Sequence, residues 1–194
     1  MKNFYKMVFV LLAMATVGCS NDDDDSNPVG TCESDIPFLQ PGKFQTYDLS
    51  QFGSSAGTMK LTFGECNGSG FVTTRQMWNQ AGTLVSETTD LTKQEGMFLT
   101  IDVASDGIDI SKMYKKDAIL GDTWQQTLAD GRVITREVVD IDSTITVPAG
   151  TFNCKVIKYT TSTAINESFI FWNDEVGQVM EDAGFMQVKM IEHN

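Results

Sequence analysis

The side chains best able to do chemistry in this chain are carboxylates. Its 194 residues contain 26 Asp and Glu, 14 Lys and Arg, four Cys and a single His. That histidine, His193, stands next to the carboxyl terminus, where we expect a frayed end that is a poor place for a general base. The sequence therefore offers no Ser-His or Cys-His nucleophile and no histidine-based zinc site. We assign no catalytic residue, no metal ligand and no cofactor.

Two groups of carboxylates have a spacing that could support a function. Asp102, Asp106 and Asp109 surround a glycine turn, and oxygen-rich loops can hold calcium, although a solvated turn explains the pattern better. Asp140 and Asp142 share one face of a predicted strand, and a carboxylate pair about 5–9.5 Å apart can hydrolyse glycosides. The same spacing occurs in any polar strand, so a carboxylate-dependent glycan-acting enzyme is the weakest hypothesis that the sequence supports.

The amino-terminal segment has the pattern of a secretory signal. Lys2 and Lys6 form a positive region, residues 7–15 are an apolar stretch, and small residues lead to Cys19. The apolar stretch is too short for the ~20 residues that span a bilayer. The cysteine at the cleavage point makes the segment resemble a bacterial lipoprotein signal. That resemblance implies removal of residues 1–18 and attachment of palmitate-type acyl chains to Cys19.

An acidic stretch follows the predicted lipid-bearing cysteine. Residues 19–34 hold four consecutive aspartates among Ser, Asn and Pro; such a segment cannot bury apolar surface and its charges repel one another, so we expect a disordered tether. The acidic run resembles the export tag of some Gram-negative surface lipoproteins, which implies an outer-membrane protein exposed on the cell surface. A plain spacer on a periplasm-facing protein is the alternative. The run consists of Asp22, Asp23, Asp24 and Asp25.

The charge of the processed chain limits its partners. Without Lys2 and Lys6, 12 basic residues stand against 26 acidic ones, a net charge of −14. Such a chain lacks the clustered Lys and Arg that nucleic acid requires. Anionic headgroups repel it, so acyl chains must hold it at the membrane. A lipid, a glycan or another envelope protein can still be its partner.

Three cysteines remain once Cys19 carries lipid, so at least one thiol stays free in an oxidising compartment. Cys32 and Cys66 lie in polar segments rich in Gly, Asn and Ser and are the preferred disulfide pair. Cys154 lies in an alternating apolar and polar run, which favours a small buried apolar residue over a reactive thiol.

Residues 35–194 have the periodicity of strands. Apolar and polar residues alternate, as in Phe44–Leu49, and turns such as Asp106-Gly107 and Asp130-Gly131 separate the runs. Ser111–Leu120 could form a turn or two of helix. We predict one all-β domain, a curved antiparallel sheet with little helix, in which each strand packs one face. The predicted strands cover residues 44–49, 59–63, 71–78, 83–89, 97–103, 124–128, 133–139, 144–147, 152–162, 167–172, 177–181 and 185–192.

Three short motifs within residues 115–182 carry a family resemblance. They are Gly121-Asp122-Thr123-Trp124, the segment VPAGTF at 147–152, and Trp172 followed by Gly177-Gln178-Val179. Their order resembles a group of uncharacterised β-rich lipoproteins and periplasmic proteins of the Gram-negative envelope. The resemblance implies a half-barrel or open-barrel sheet similar to the LolA-like lipoprotein carriers, without an established chemistry.

The tryptophans of these motifs separate two functional hypotheses. Trp124 and Trp172 are expected to fill the core; the alternative is that they form an aromatic face for a sugar or an apolar ligand. The first hypothesis predicts a non-enzymatic, lipid-anchored binding or structural module. The second predicts a carrier that holds a lipid or another apolar ligand in a half-barrel cleft.

Overall fold

The structure, a computed structural model, describes residues 32–105, 107–108, 110–163 and 167–194. Regular structure in these ranges is β-strand, apart from a 3₁₀ turn at Val103–Ser105. No helix in the described ranges is long and apolar enough to cross a membrane. The strands are β1 (Phe44–Gln51), β2 (Ser54–Cys66), β3 (Phe71–Trp78), β4 (Leu84–Glu95), β5 (Phe98–Asp102), β6 (Ile110–Lys115), β7 (Thr123–Thr127), β8 (Val133–Val147), β9 (Gly150–Thr161), β10 (Ser168–Asn173), β11 (Gly177–Asp182) and β12 (Met186–His193).

All twelve described strands belong to one antiparallel sheet, in the order β6-β5-β4-β3-β2-β1-β12-β11-β10-β9-β8-β7. Each strand lies beside a neighbour in sequence, and β1 pairs with β12 from Gln45–His193 to Gln51–Met186. Over the described residues this is an up-and-down barrel whose backbone ladder is interrupted between β6 and β7. The predicted fold class, an all-β domain of curved antiparallel sheet of half-barrel or open-barrel type, is confirmed.

Side chains bridge the gap between β6 and β7, which we call the seam. Trp124 Nε1 donates to the Lys112 carbonyl at 2.9 Å, and the side-chain oxygen of Gln126 accepts the Lys112 amide at 3.1 Å. Lys115 forms an ion pair with Asp122 at 2.8 Å beside the turn that leads into β7. Adjacent antiparallel strands normally exchange a row of backbone hydrogen bonds. The barrel wall at the seam therefore depends on individual side chains.

The chain packs into the barrel before β1 begins, through residues 32–40, which we call the plug segment. Ile36, Phe38 and Leu39 are all buried. A disulfide joins Cys32 to Cys66 at the end of β2, with Cα atoms 5.6 Å apart. Cys32 and neighbouring residues up to 34, which we assigned to the tether from the sequence, therefore contact the barrel.

Two apolar clusters fill the molecule. The first joins the plug segment to Tyr114, Trp124 and Trp172. The second lies where the long β8–β9 hairpin meets β12; there the Ala149 amide donates to the Met190 carbonyl at 3.2 Å. In β9 the neighbouring residues Val156 and Ile157 are both buried, which departs from the simple alternation expected of a half-exposed strand. They lie opposite the irregularity in β8 between Val138 and Asp140.

Three local predictions are wrong. Residues 133–147 form one strand instead of two, because bulges on either side of Asp140 carry the ladder through its polar stretch. Residues 110–115 form β6 and not a helical turn, since pairing with β5 outweighs their irregular apolar spacing. His193 is not frayed: it pairs with Gln45, and its ring lies 5.7 Å from that of Phe152.

Candidate binding site

A cavity of about 60 Å³ lies inside the barrel beside the plug segment. Strands β1 to β6 supply most of its wall, joined by the plug segment, β10 and β11. Part of the lining is apolar and part is polar. The apolar side chains are Phe38, Met59, Leu61, Phe63, Leu99, Ile101, Met113 and Trp172, and the polar ones are Gln45, Tyr47, Thr73, Arg75, Asp90, Thr92 and Gln178.

Aromatic rings close the cavity on the side of the plug segment. Trp172 stacks on Tyr114 with ring centroids 4.7 Å apart, and Phe38 meets Trp172 edge-on at 5.7 Å. The Tyr114 hydroxyl donates to Asp174 and accepts a hydrogen bond of 3.1 Å from Lys155. Burial, followed by the hydrogen bond to Asp174, raises the pKa of Tyr114. Tyr114 therefore stays protonated and holds the stack in place, and is not suited to act as a base.

The polar wall contains an ion pair between β3 and β4. Arg75 contacts Asp90 at 2.8 Å, and the Asp90 side chain is 1% exposed. The Thr73 hydroxyl donates to the Thr92 hydroxyl at 2.8 Å on the same face. A buried carboxylate is tolerated when it is paired and hydrogen-bonded, so this pair can place charge inside the barrel without leaving it uncompensated.

Tyr47 links the polar wall to β11. Its hydroxyl lies 2.8 Å from the Gln45 side-chain oxygen and 3.0 Å from the Gln178 carbonyl. Burial raises the pKa of Tyr47, and the charge of Glu181 adds to the effect. The Tyr47 hydroxyl therefore stays protonated at neutral pH and acts as a hydrogen-bond donor to these oxygens.

Our sequence analysis missed two polar residues that face the interior, the buried Arg136 on β8 and the half-buried Gln126 on β7. Arg136 is 4% exposed, and its Nη2 donates to the Ser111 hydroxyl at 3.3 Å and contacts Met113 Sδ at 3.5 Å. Burial lowers the pKa of Arg136 to about 10, so the guanidinium is still charged at neutral pH. A sequence signal for it exists: Arg136 is in phase with Ile134 and Val138 on the apolar face of its strand.

The structure separates the two predicted aromatic residues. Trp172 is 4% exposed and lines the cavity, whereas Trp124 is 7% exposed and lies at the seam, with its ring centroid 6.1 Å from that of Phe98. Both belong to the first apolar cluster. Both tryptophans fill space in the core, as the first of the two hypotheses expects of them. The small cavity lies beside Trp172.

The carboxylates of the glycosidase hypothesis are exposed and already engaged. Asp140 accepts the backbone amide of Asp142 at 3.0 Å, and Asp142 accepts the Asn153 side chain at 2.7 Å. Asp102 is buried and accepts the Gly107 amide at 3.0 Å, while Asp106 and Asp109 lie outside the described residues. In the described ranges no group of three or more His, Cys, Asp or Glu side chains could hold a metal ion.

The remaining predicted sites are a thiol and the amino-terminal segment. Cys154 is free and 1% exposed, and burial raises its pKa to about 11, which makes it a poor nucleophile at neutral pH. The predicted lipidation site Cys19 and the acidic run at 22–25 lie outside the described residues.

The motif glycines have structural roles near the plug segment and the hairpins. At Gly177, which has a φ of +85°, an added Cβ would lie 2.5 Å from Gln45 Nε2 and 3.4 Å from the Phe38 ring. The Gly121 amide donates to the Val138 carbonyl at 2.8 Å and so docks the turn before β7 onto β8. These motifs therefore shape the barrel and the side of the cavity, without contributing a reactive group.

Comparison with known proteins gives a fold and no family. No family model matches the chain, and no curated protein matches it. A solved structure from Bacteroides fragilis, described as having a YmcC-like fold and provisionally as an exported protein, superimposes with a TM-score of 0.59. It is 14% identical, and the match covers 80% of this chain and 96% of that one. The two proteins share an all-β, barrel-like class of fold.

Proposed function

We propose that this chain is an exported, lipid-anchored envelope protein that binds a small ligand inside its barrel without transforming it. The observation that carries the proposal is the internal cavity, which combines an apolar wall with a buried ion pair and is closed by Phe38 and Trp172. Ligand sites of this kind are enclosed and mostly apolar, with a few placed polar groups.

The anchoring part of the proposal depends on the amino-terminal pattern. A positive region, a short apolar stretch and Cys19 form a lipoprotein-type signal, and the acidic run at 22–25 follows at the position of a surface-export tag. The description of the structural neighbour as exported agrees with this, as do the motifs that resemble the envelope lipoproteins. The anchor places the protein in the outer membrane, facing the cell surface.

The size of the cavity favours a small ligand over a lipid. At about 60 Å³ it is well below the ~300–1,000 Å³ of typical ligand pockets. A carrier of acyl chains is the alternative, and it would require Phe38 and the rest of the plug segment to leave the barrel.

Metabolic labelling tests the anchor. Radiolabelled palmitate should enter the full-length protein and be absent from Cys19→Ser. Replacement of residues 22–25 by alanine should leave labelling intact and lower the accessibility of the protein to protease on whole cells. Equal labelling of Cys19→Ser would refute the anchor, and unchanged protease accessibility would reduce the acidic run to a spacer.

Native mass spectrometry tests the binding site. Soluble protein that begins at Ser20, exported to the periplasm behind a cleavable signal and purified without detergent, should carry a small adduct, which should be lost in the cavity-filling variant Leu61→Trp. The matched control is Leu84→Trp, because Leu84 is 45% exposed; this variant should keep the adduct. An adduct of lipid mass would favour the carrier, and the absence of any adduct from the wild-type protein would refute binding.

A further inference from the structure

Arg136 is a buried cation that has no carboxylate partner within the described part of the chain. Its Nε and Nη1 atoms are shielded from solvent and have no hydrogen-bond partner among the described residues. No carboxylate oxygen of those residues lies within the 4.0 Å that defines an ion pair. Burying an unpaired charge is costly, so this arginine points to a function that requires it.

Gln126 adds another unmatched donor to the same face of the wall. Trp124 pairs with Arg136 and Gln126 pairs with Ile134, so the side chains of Gln126 and Arg136 emerge on one side of the β7–β8 pair. Gln126 Nε2 is buried and also has no partner among the described residues. Because the unmatched atoms of both residues are donors, the group that matches them is an acceptor, and the guanidinium favours an anionic one.

The carboxylate whose charge acts on the pKa of Arg136 is that of Glu181, and it already accepts hydrogen bonds from other side chains. Glu181 accepts the Tyr159 hydroxyl at 2.9 Å and the Gln178 side chain at 3.3 Å. The Arg136 guanidinium carbon lies 5.9 Å from the centre of the Tyr159 ring. Contact with an aromatic face partly offsets the cost of burying a cation and leaves its donors available.

Met113 connects this donor pair to the cavity. Its sulfur lies 3.5 Å from Arg136 Nη2, and its side chain also lines the cavity. An anion on Arg136 that displaced Met113 would therefore have an apolar space directly behind it. The seam, which is bridged by single side chains, is the natural place of entry.

We propose that the seam of this barrel binds a small aliphatic monocarboxylate, with its carboxylate on Arg136 and Gln126 and its short tail in the cavity. The proposal deepens the ligand-binding function above and rests on it. One guanidinium without a carboxylate partner among the described residues matches one negative charge, since Arg75, the arginine that lines the cavity, is paired with Asp90. The cavity has room for a tail of a few carbon atoms.

Calorimetric titration at pH 7 with sodium acetate, butyrate, hexanoate and dodecanoate tests this site. Butyrate or hexanoate should bind most tightly, with acetate and dodecanoate weaker. Arg136→Met should weaken binding by about tenfold or more, because it removes a charged hydrogen bond. It should not lower the melting temperature, since it also removes a buried unpaired charge. The control is Arg132→Met: Arg132 is exposed and pairs with Asp130, so its loss should leave affinity unchanged.

A neutral probe separates the two proposals. If 1-butanol binds as well as butyrate, or if Arg136→Met binds butyrate as well as the wild type does, the carboxylate site is refuted while the binding cavity stands. If neither 1-butanol nor any carboxylate binds, both proposals fail. Should Arg136→Met not fold, Gln126→Leu replaces it, and unchanged affinity in that variant counts against the site.

Discussion

Asp90 and Arg136 show two ways in which this barrel accommodates a buried charge. Asp90 is matched by Arg75 across β3 and β4 at 2.8 Å, so its charge is compensated within the wall. Arg136 has a hydroxyl, a thioether and an aromatic ring around it instead. Replacing a buried ion pair often costs little, whereas an unpaired charge is retained at a cost to stability. Because Asp90 is already paired and Arg136 retains unmatched donors, we propose the ligand contact at Arg136.

The thiol of Cys154 should be nearly inert in the folded protein. Its pKa of about 11 leaves about one thiol in a thousand ionised at pH 8. In protein that begins at Ser20, Ellman's reagent should react over hours under native conditions. In denaturant without reductant it should find about one thiol per chain, because Cys32 and Cys66 are joined. A count of three would contradict the disulfide.

The same pKa predicts a loss of stability at alkaline pH. A raised pKa means that the folded state holds the proton more tightly. The contribution of the Cys154 thiol to the free energy of unfolding is therefore complete below the unfolded thiol's pKa of about 8.5. It is lost as pH rises towards about 11. Urea unfolding at pH 8 and pH 10.5 should show a smaller drop for Cys154→Ala than for the wild type, and an equal drop would contradict this origin.

At the scale of elements, the plug segment is the least expected feature. Our sequence analysis ended the tether at residue 34 and predicted no element between residue 35 and β1, yet Ile36, Phe38 and Leu39 are as buried as any strand residue. Their burial depends on Cys32 reaching Cys66 and on Gly177 leaving room for Phe38. Neither contact is visible in local sequence patterns, because each joins segments that are distant in the chain.

Phe38→Ala should destabilise the protein strongly. It removes a buried ring that contacts Phe63 and Trp172, and such truncations cost about 3–5 kcal/mol in free energy of unfolding. Phe52→Ala is the matched control; Phe52 is 80% exposed, so its loss should change stability by about 0.5 kcal/mol or less. Equal losses in urea melts of the two variants would show that the plug segment does not stabilise the barrel.

Most of the strands could be predicted, with β6 missed and β8 divided in two, while the inside of the barrel could not. Alternation and glycine turns located the strands, since both signals are local. Alternation also led us to assign polar faces to solvent. On β4, however, Asp90 and Thr92 face inward, because partners on neighbouring strands satisfy them. The seam and the Arg136 site depend on the barrel's closure, which brings β7 beside β6, and this is a long-range property.

At the scale of the whole molecule, the barrel joins its first and last strands. β1 pairs with β12, and the Phe44 amide also donates to the Asn194 side chain at 2.7 Å. The disulfide partner Cys66 lies at the end of β2, and β2 is the direct neighbour of β1. Cys32, the first described residue, therefore lies at the end of the barrel where the chain both starts and finishes its sheet.

The position of the disulfide would have a mechanical consequence if the chain is anchored through Cys19 as we propose. Tension applied to the chain before Cys32 would pass directly to β2 through Cys66, so residues 33–65, which lie between the two cysteines, would carry no load. The plug segment would remain seated while the membrane or a partner pulls on the barrel. In single-molecule stretching, reduction should lengthen the fully unfolded chain by about 110–120 Å, from ~3.3–3.6 Å per residue over the 34-residue separation. Equal contour lengths with and without reductant would show that the loop is not shielded from force.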